Sequence, residues 1–174
     1  MISRWKIICV TAGLSLVIGC LDVGSGLPSV PRTGDMAPEF QAKSMDTGQA
    51  ISLEDFRGQP VLVNLWATWC IPCRVETPFL QETYLKHKDQ GLRILGISVD
   101  SPGSEDIIKT FLEDNSVTYD IALDPSMAST DIFSVVGLPA SFLIGADGII
   151  VYNRIGPIAE KDPDFEKALE LVLD

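Results

Sequence analysis

The sequence is poor in the residues that bind metal ions and nucleic acids. Histidine occurs once, as His87, and the four cysteines include only one closely spaced pair, Cys70 and Cys73. A structural zinc site of four ligands therefore lacks a second cysteine pair to complete it. Basic residues are also scarce, with 13 Lys and Arg against 24 Asp and Glu, and the formal net charge is −11. Because such a surface repels phosphate backbones, we expect no nucleic-acid binding; the acidity serves either a basic partner or solubility alone.

The first 19 residues have the pattern of a bacterial secretion signal. Two basic residues precede an apolar run from Ile7 to Ile18, which is too short to span a bilayer comfortably. The run leads into Val17-Ile18-Gly19-Cys20, which resembles a bacterial lipobox, whose cysteine becomes the lipid-modified first residue. We therefore expect residues 1–19 to be a lipoprotein signal peptide and Cys20 to carry the membrane anchor. The alternatives are an uncleaved apolar anchor, or a cysteine that lies by chance near an ordinary cleavage site.

Removal of the signal leaves 155 of the 174 residues, enough for one domain with a real core and too few for two. Residues 20–36 hold three glycines and two prolines without hydrophobic periodicity, which predicts a flexible tether. We predict a single extracytoplasmic domain over residues 37–174. Because Cys9 is lost with the signal, Cys70 and Cys73 are the only thiols expected in this domain.

Apolar runs and turn signals predict strands that alternate with helices. A short hairpin, with strands at 38–42 and 49–52, is predicted around Asp46-Thr47-Gly48. The elements predicted after it are, in chain order, a helical turn at 52–56, a buried strand at 61–67, a helix at 71–90, a strand at 92–99, a helix capped by Ser104, a short helix at 126–133, strands at 140–144 and 149–155, and a helix capped by Asp162. This order predicts an α/β fold with parallel strands at the centre of the sheet.

One motif points to chemistry. The predicted strand at 61–67 runs directly into Thr68-Trp69-Cys70-Ile71-Pro72-Cys73, where a helix begins. A helix N-terminus favours negative charge, and its free N–H groups can solvate a thiolate. Cys70 is therefore predicted as the nucleophile, with its pKa lowered from about 8.5 toward 7, and Cys73 as the more shielded resolving thiol. A structural disulfide is the alternative, but a bridge that closes so short a loop constrains the unfolded chain little.

Such a pair can exchange disulfides without a metal or an organic cofactor. Cys70 attacks a target disulfide to form a mixed disulfide, and Cys73 then breaks that bond as the pair closes on itself. We therefore expect no cofactor.

The motif and its context resemble the thioredoxin superfamily. Residues Trp66 to Cys73, followed by Pro78 and by Gly137-Leu138-Pro139, are most similar to the membrane-tethered TlpA/ResA-like thiol-disulfide oxidoreductases. The resemblance runs from about residue 36 onward. It implies a thioredoxin-like fold: a central mixed sheet flanked by helices, with an N-terminal β-hairpin extension and an inserted helix/strand segment. It also implies a protein-disulfide reductase, possibly acting on apocytochrome c in cytochrome c maturation and recharged by a transmembrane dithiol electron donor.

The resemblance assigns roles to three residues near the cysteines. It implies that Pro139 follows a cis peptide bond and that the backbone around Leu138 pairs with an extended substrate; a trans-proline that starts a strand is the alternative. It implies that Trp69 shields the nucleophile and presents an apolar docking face, whereas burial statistics alone favour a core tryptophan equally.

Two positions depart from the pattern of general thioredoxins. Asn64 stands where thioredoxins carry a buried acid, and an amide cannot accept a proton from the resolving thiol. Glu76 lies three residues after Cys73 on the same helical face and matches the glutamate of the ResA-like branch. It either raises the thiol pKa by like-charge repulsion or relays a proton. A solvated glutamate in an early helical turn is the alternative.

Two other functions stay open on the sequence. A peroxiredoxin-like thiol peroxidase has a similar preamble and strand order, but its pattern Pro-x-x-x-Thr/Ser-x-x-Cys is not met, since Val63 stands at the proline position and Ala67 at the Thr/Ser position. A non-enzymatic copper chaperone would typically use Cys-x-x-x-Cys and a distant histidine, whereas His87 falls within the predicted helix on a lysine-rich stretch.

Overall fold

The most apolar runs form the middle of the sheet in this computed structural model, which describes residues 29–174. The seven strands are β1 (Gln41–Ser44), β2 (Ala50–Ser52), β3 (Val61–Trp66), β4 (Arg93–Ser98), β5 (Asp120–Leu123), β6 (Ala140–Ile144) and β7 (Ile150–Ile155). Their order across the sheet is β2-β1-β5-β4-β3-β6-β7. The pairs β3–β4 and β4–β5 are parallel, and the other neighbours are antiparallel. The predicted mixed sheet with a parallel centre is confirmed.

Four helices accompany the sheet within the described residues. They are α1 (Ile71–His87), α2 (Glu105–Asp114), α3 (Ala128–Ile132) and α4 (Pro163–Leu173). Short 3-10 turns at Leu53–Phe56 and Lys88–Gln90 complete the elements. The order of these helices and strands is the thioredoxin-like arrangement that the resemblance implied.

Both faces of the central strand are covered, which explains why β3 is apolar at nearly every position. Alternate residues of a strand point to opposite faces. Val63 lies in the core on one face with Phe133, which directly follows α3. Leu62 lies in the core on the other face with Leu80 of α1 and Phe165 of α4. All three helices are thereby fixed relative to β3, whose end leads into the cysteine motif.

The predicted helix caps differ in how they are made. The Asp162 carboxylate accepts hydrogen bonds from the backbone N–H groups of Asp164, at 3.0 Å, and Phe165, at 3.2 Å, and Pro163 is the first residue of α4. This cap is confirmed in full. Ser104 also precedes its helix as predicted, but its side chain makes no capping hydrogen bond.

The hairpin at the start of the domain belongs to the main sheet. β1 pairs with β2 as predicted, and its other edge pairs with β5, where Lys43 lies opposite Leu123. β5 and α2 form the inserted helix/strand segment between β4 and β6. The sequence patterns located the helix of this insert but predicted no strand at Asp120–Leu123, which is only four residues long.

Residues 29–36, the described part of the predicted tether, lie along β7. The Gly34 N–H donates to the Ile150 carbonyl at 2.8 Å, and the Ile150 N–H donates to the Asp35 carbonyl at 2.9 Å. The predicted signal peptide at 1–19, the predicted lipidation site Cys20 and the first part of the predicted tether lie outside the described residues. Within residues 29–174, no helix is both long enough and apolar enough to cross a membrane.

Candidate active site

The two cysteines lie where β3 gives way to α1. Cys70 is the N-cap of α1, and its Sγ accepts a hydrogen bond from the backbone N–H of Cys73 at 3.3 Å. Cys70 and Cys73 form a disulfide, with Cα atoms 5.3 Å apart. Pro72 lies in the first turn, where a missing N–H costs nothing. In the reduced state, the same N–H and the helix dipole favour a thiolate on Cys70.

Cys70 is one of the residues that line an apolar groove, which we call the cysteine groove. Its volume is about 550 Å³, and it is lined by the N-terminal turn of α1, by Met127 and by residues 135–138. Trp69 is 63% exposed and Val136 is fully exposed at its rim. Trp69 is therefore a surface residue rather than a core tryptophan. An exposed apolar patch of this kind marks a binding surface.

Leu138 joins this groove to the cysteines. Its side chain packs against the buried cluster that contains both Cys70 and Cys73. The Leu138–Pro139 peptide bond is cis, as the resemblance implied. The two cysteines themselves are nearly inaccessible, with 5% of Cys70 and 2% of Cys73 exposed. The predicted difference in shielding is thus small in the oxidised protein.

A buried aspartate holds the loop that leads to Cys70. Asp100, just after β4, accepts hydrogen bonds from the Thr68 N–H at 2.9 Å and the Thr68 hydroxyl at 2.6 Å. The Ser98 hydroxyl donates to the same carboxylate at 2.8 Å. The sequence reasoning did not single out Asp100. An acidic residue directly after a buried strand was the available signal, since it lies at the end of the sheet that carries the motif.

Glu76 is buried, and each of its two carboxyl oxygens accepts a hydrogen bond. Its Oε1 accepts from the backbone N–H of Ile158 at 2.6 Å, and its Oε2 accepts from Asn64 Nδ2 at 3.2 Å. The same Asn64 amide donates to the Ser141 hydroxyl at 2.9 Å. Only 3% of Glu76 is exposed, so the alternative of a solvated helix residue is wrong. Ser141 and Ile158 were not found from the sequence, because no local pattern relates them to Asn64 or Glu76.

Burial dominates the protonation of Glu76. Desolvation raises its pKa from 4.5 to about 7, although the hydrogen bonds from Ile158 and Asn64 and the charge of Arg154 act in the opposite direction. A carboxyl group with a pKa near 7 can both give and take a proton at neutral pH. The Glu76 carboxyl is thus a titratable group three residues from Cys73, whereas the Asn64 amide does not titrate.

His87, the histidine that a copper chaperone would need, lies at the opposite end of α1 from the cysteines. His87 is the last residue of α1, and its Nδ1 lies 2.8 Å from Gln90 Oε1. Across residues 29–174, no three His, Cys, Asp or Glu side chains are grouped so that they could hold a metal ion.

The raised pKa of Glu76 predicts how stability depends on pH. Between pH 4.5 and about 7 the unfolded chain releases this proton while the folded chain keeps it, so the free energy of unfolding falls as pH rises and levels off above pH 7. The effect is on the order of 3 kcal/mol. Glu76→Gln removes it. Urea unfolding of the oxidised protein from pH 4.5 to 8 should show a flatter profile for this variant.

Glu82→Gln is the matched control, because Glu82 is an exposed glutamate on the same helix. It should retain the wild-type slope. Parallel profiles for Glu76→Gln and wild type would contradict the raised pKa, whatever the constant offset between the two curves.

Known proteins resemble this chain in sequence. The model of the AhpC/TSA family matches residues 33–153. The chain is 34% identical over 122 residues to the thiol-disulfide oxidoreductase ResA of Oceanobacillus iheyensis, a match that covers 68% of this chain and 62% of that protein. It is 30% identical over 158 residues to ResA of Bacillus subtilis, which covers 87% of this chain and 86% of the relative.

Solved structures agree with these relatives. The thioredoxin domain of a thiol-disulfide oxidoreductase from Bacteroides vulgatus superimposes with a TM-score of 0.69 and 29% identity, over 82% of this chain and 98% of that domain. StoA from Bacillus subtilis gives a TM-score of 0.61 and 26% identity, over 75% of this chain and 97% of StoA. On both sequence and structure, the chain belongs to the AhpC/TSA family and, within it, to the thioredoxin-like thiol-disulfide oxidoreductases.

Proposed function

We propose that this protein is a reductase of protein disulfides, held outside the cytoplasm at the bacterial cell membrane by lipid on Cys20. The observation that carries the proposal is the position of Cys70: its sulfur caps α1 and accepts a hydrogen bond from the Cys73 N–H, and the residue lines an apolar groove. These features stabilise a thiolate and provide a surface for a protein substrate.

The reaction begins with the reduced pair. The Cys70 thiolate attacks one sulfur of the substrate disulfide, that S–S bond breaks, and the departing substrate sulfur takes up a proton. Cys73 then attacks Cys70 Sγ, which releases the second substrate thiol and closes the Cys70–Cys73 disulfide. Two electrons pass from the enzyme dithiol to the substrate disulfide, and no cofactor takes part.

Glu76 acts as the proton relay for the second step. Cys73 must lose its proton before it can attack, and Glu76 lies three residues further on, one turn along α1. Its pKa of about 7 suits it to accept that proton. Asn64 holds the carboxyl in place through its amide. This role is favoured over simple like-charge repulsion, because a carboxyl group that is protonated half of the time at pH 7 repels a thiolate only weakly.

The substrate lies along the cysteine groove. Trp69 offers an exposed apolar face next to Cys70, and Leu138 with Pro139 provides the backbone edge for an extended segment. Main-chain pairing of this kind accepts many sequences, since it does not depend on side chains.

The reductase depends on an external electron supply. Oxidising compartments re-form disulfides, so the Cys70–Cys73 pair must be reduced again after each turnover. We assign this task to a transmembrane dithiol carrier and take apocytochrome c as the candidate substrate, in cytochrome c maturation.

A thiol peroxidase has less support, because Ala67, three residues before Cys70, has no hydroxyl with which to hold a peroxide. Peroxide turnover by the purified protein would favour the peroxidase.

Cysteine variants test the redox roles. Cys70→Ser should abolish disulfide reduction, because it removes the nucleophile. Cys73→Ser should keep the first attack and accumulate mixed disulfides, which mass spectrometry can identify. Apocytochrome c among these adducts would support the assigned substrate, and adducts that lack it would contradict that assignment. Reduction that survives the loss of Cys70 would overturn the roles of the two cysteines.

Glu76→Gln tests the relay. The variant should form the mixed disulfide at the wild-type rate but resolve it about 100-fold more slowly near pH 7, since it lacks a proton acceptor. Stopped-flow measurement of both steps from pH 5 to 9 separates them. If repulsion dominates instead, the profile of the first attack will move to lower pH. Glu82→Gln again serves as the control, and a Glu76→Gln profile identical to wild type would exclude both roles.

Cys20→Ala tests the anchor. A lipid chain on Cys20 binds the membrane after the signal is removed, so the variant should be released or left unprocessed. Cell fractionation and the mass of the mature chain give the answer. Cys9→Ala should change neither, because Cys9 lies within the signal. A Cys20→Ala variant that stays on the membrane with unchanged mature mass would show that the apolar segment is the anchor.

A further inference from the structure

Trp69 also borders a second groove, which we call the α2 groove. It lies between α2 and the first turns of α1, has a volume of about 420 Å³, and includes Ile107, Phe111 and Arg74 in its lining. Because Trp69 lines both this groove and the cysteine groove, a chain segment in the α2 groove can continue across the indole toward Cys70.

The floor of the α2 groove is apolar and accessible. Ile107 and Phe111 are four residues apart on α2 and therefore lie on the same face of the helix. Ile107 is 62% exposed, close to the value for Trp69, whereas Ile108 is buried in the cluster that contains the cysteines. α2 thus buries Ile108 in the core and leaves Ile107 exposed in the groove, which the exposed Trp69 also lines. Contiguous exposed apolar groups of this kind mark an interaction surface.

Acidic side chains flank this floor. Asp106 and Asp114 lie eight residues apart on α2, about 12 Å along the helix, and both line the groove. Both are exposed, and in the described part of the chain neither forms an ion pair. Arg74 is the basic residue among the lining groups, and its guanidinium lies over the Phe111 ring, 5.7 Å from the centroid. Lys109 lines a different groove.

We propose that the α2 groove binds a basic segment of the substrate protein, adjacent to the disulfide that Cys70 attacks. An apolar side chain of that segment packs on Ile107, and lysine or arginine residues lie near Asp106 and Asp114. Complementary charge raises the rate at which the two proteins associate and disfavours the binding of acidic partners. The proposal rests on the proposed reductase function and names a class of substrate for it, consistent with the net charge of −11.

Three disulfide substrates, each assayed with the full-length reduced protein, test the groove. Two are peptides with the same central disulfide and the same leucine, one flanked by lysines and the other by glutamates, and the third is bis(2-hydroxyethyl) disulfide. Asp106→Asn with Asp114→Asn should slow attack on the lysine peptide about fivefold, the size expected for two exposed ion pairs. Attack on bis(2-hydroxyethyl) disulfide should not change. The wild-type preference for the lysine peptide should shrink as salt is raised.

Glu105→Gln with Glu113→Gln is the matched control, since it removes the same charge from α2 without touching the groove lining. This control should retain the preference for the lysine peptide. Equal slowing by the two double variants would show that only the overall field acts, and this would overturn the proposal. The proposal would also be overturned if the Asp106→Asn/Asp114→Asn variant attacked all three disulfides more slowly, or if its rate were unchanged for all three.

Binding without reaction separates this proposal from the proposed function. Serine analogues of the two peptides are titrated calorimetrically into the oxidised protein, where no thiol exchange can occur. Tighter binding of the lysine analogue, weakened in the Asp106→Asn/Asp114→Asn variant, supports the groove even if the protein reduces none of the disulfides. Equal affinity for the lysine and glutamate analogues overturns it even if reduction is normal.

Discussion

The hydrogen bond from the Cys73 N–H to the Cys70 sulfur depends on how β3 ends and how α1 begins. β3 is buried on both faces, so its direction is fixed by the sheet, and α1 is held against that sheet through Leu80. The turn between them therefore has little freedom, and Asp100 restrains it further by binding Thr68. As a result, a rigid scaffold holds Cys70 at the N-terminus of α1, a position that favours a thiolate.

The buried carboxyl of Glu76 has a cost in stability that the fold offsets through specific partners. A charged group with 3% exposure needs hydrogen bonds, and Glu76 receives them from the Asn64 amide and the Ile158 backbone. These partners do not cancel the desolvation, so the pKa settles near 7. A carboxyl group that can exchange a proton near neutral pH therefore lies one turn after Cys73 on α1, and its hydrogen-bond partner Asn64 has an amide that does not titrate.

The surface near Cys70 is built from segments that are far apart in the chain. The residues around Val136 and Leu138 form one side of the cysteine groove, and α2 forms the floor of the neighbouring groove. Trp69 is shared by both. Because the first groove is apolar and the second is flanked by aspartates, the two can select different features of one substrate: its extended backbone and its charge.

Local patterns determined much of this protein. The strand–helix junction at the cysteines, the Asp162 cap and the order of most strands follow from apolar runs, turn residues and caps, which act over a few positions. The same patterns identified Cys70 and Cys73 as the redox pair and placed Glu76 one turn after Cys73. The resemblance to known reductases added the cis bond before Pro139.

The tertiary structure alone decided what surrounds these residues. Sequence reasoning left open whether Trp69 is buried and whether Glu76 is solvated, and it missed Asp100 and the short strand β5. Each depends on contacts across the sheet: Asn64 meets Ser141 from 77 residues away, and Thr68 meets Asp100 from 32 residues away. Periodicity within one element carries no information about such partners. The chemistry is therefore encoded locally, whereas its protonation and its substrate surface arise only when distant strands and helices pack together.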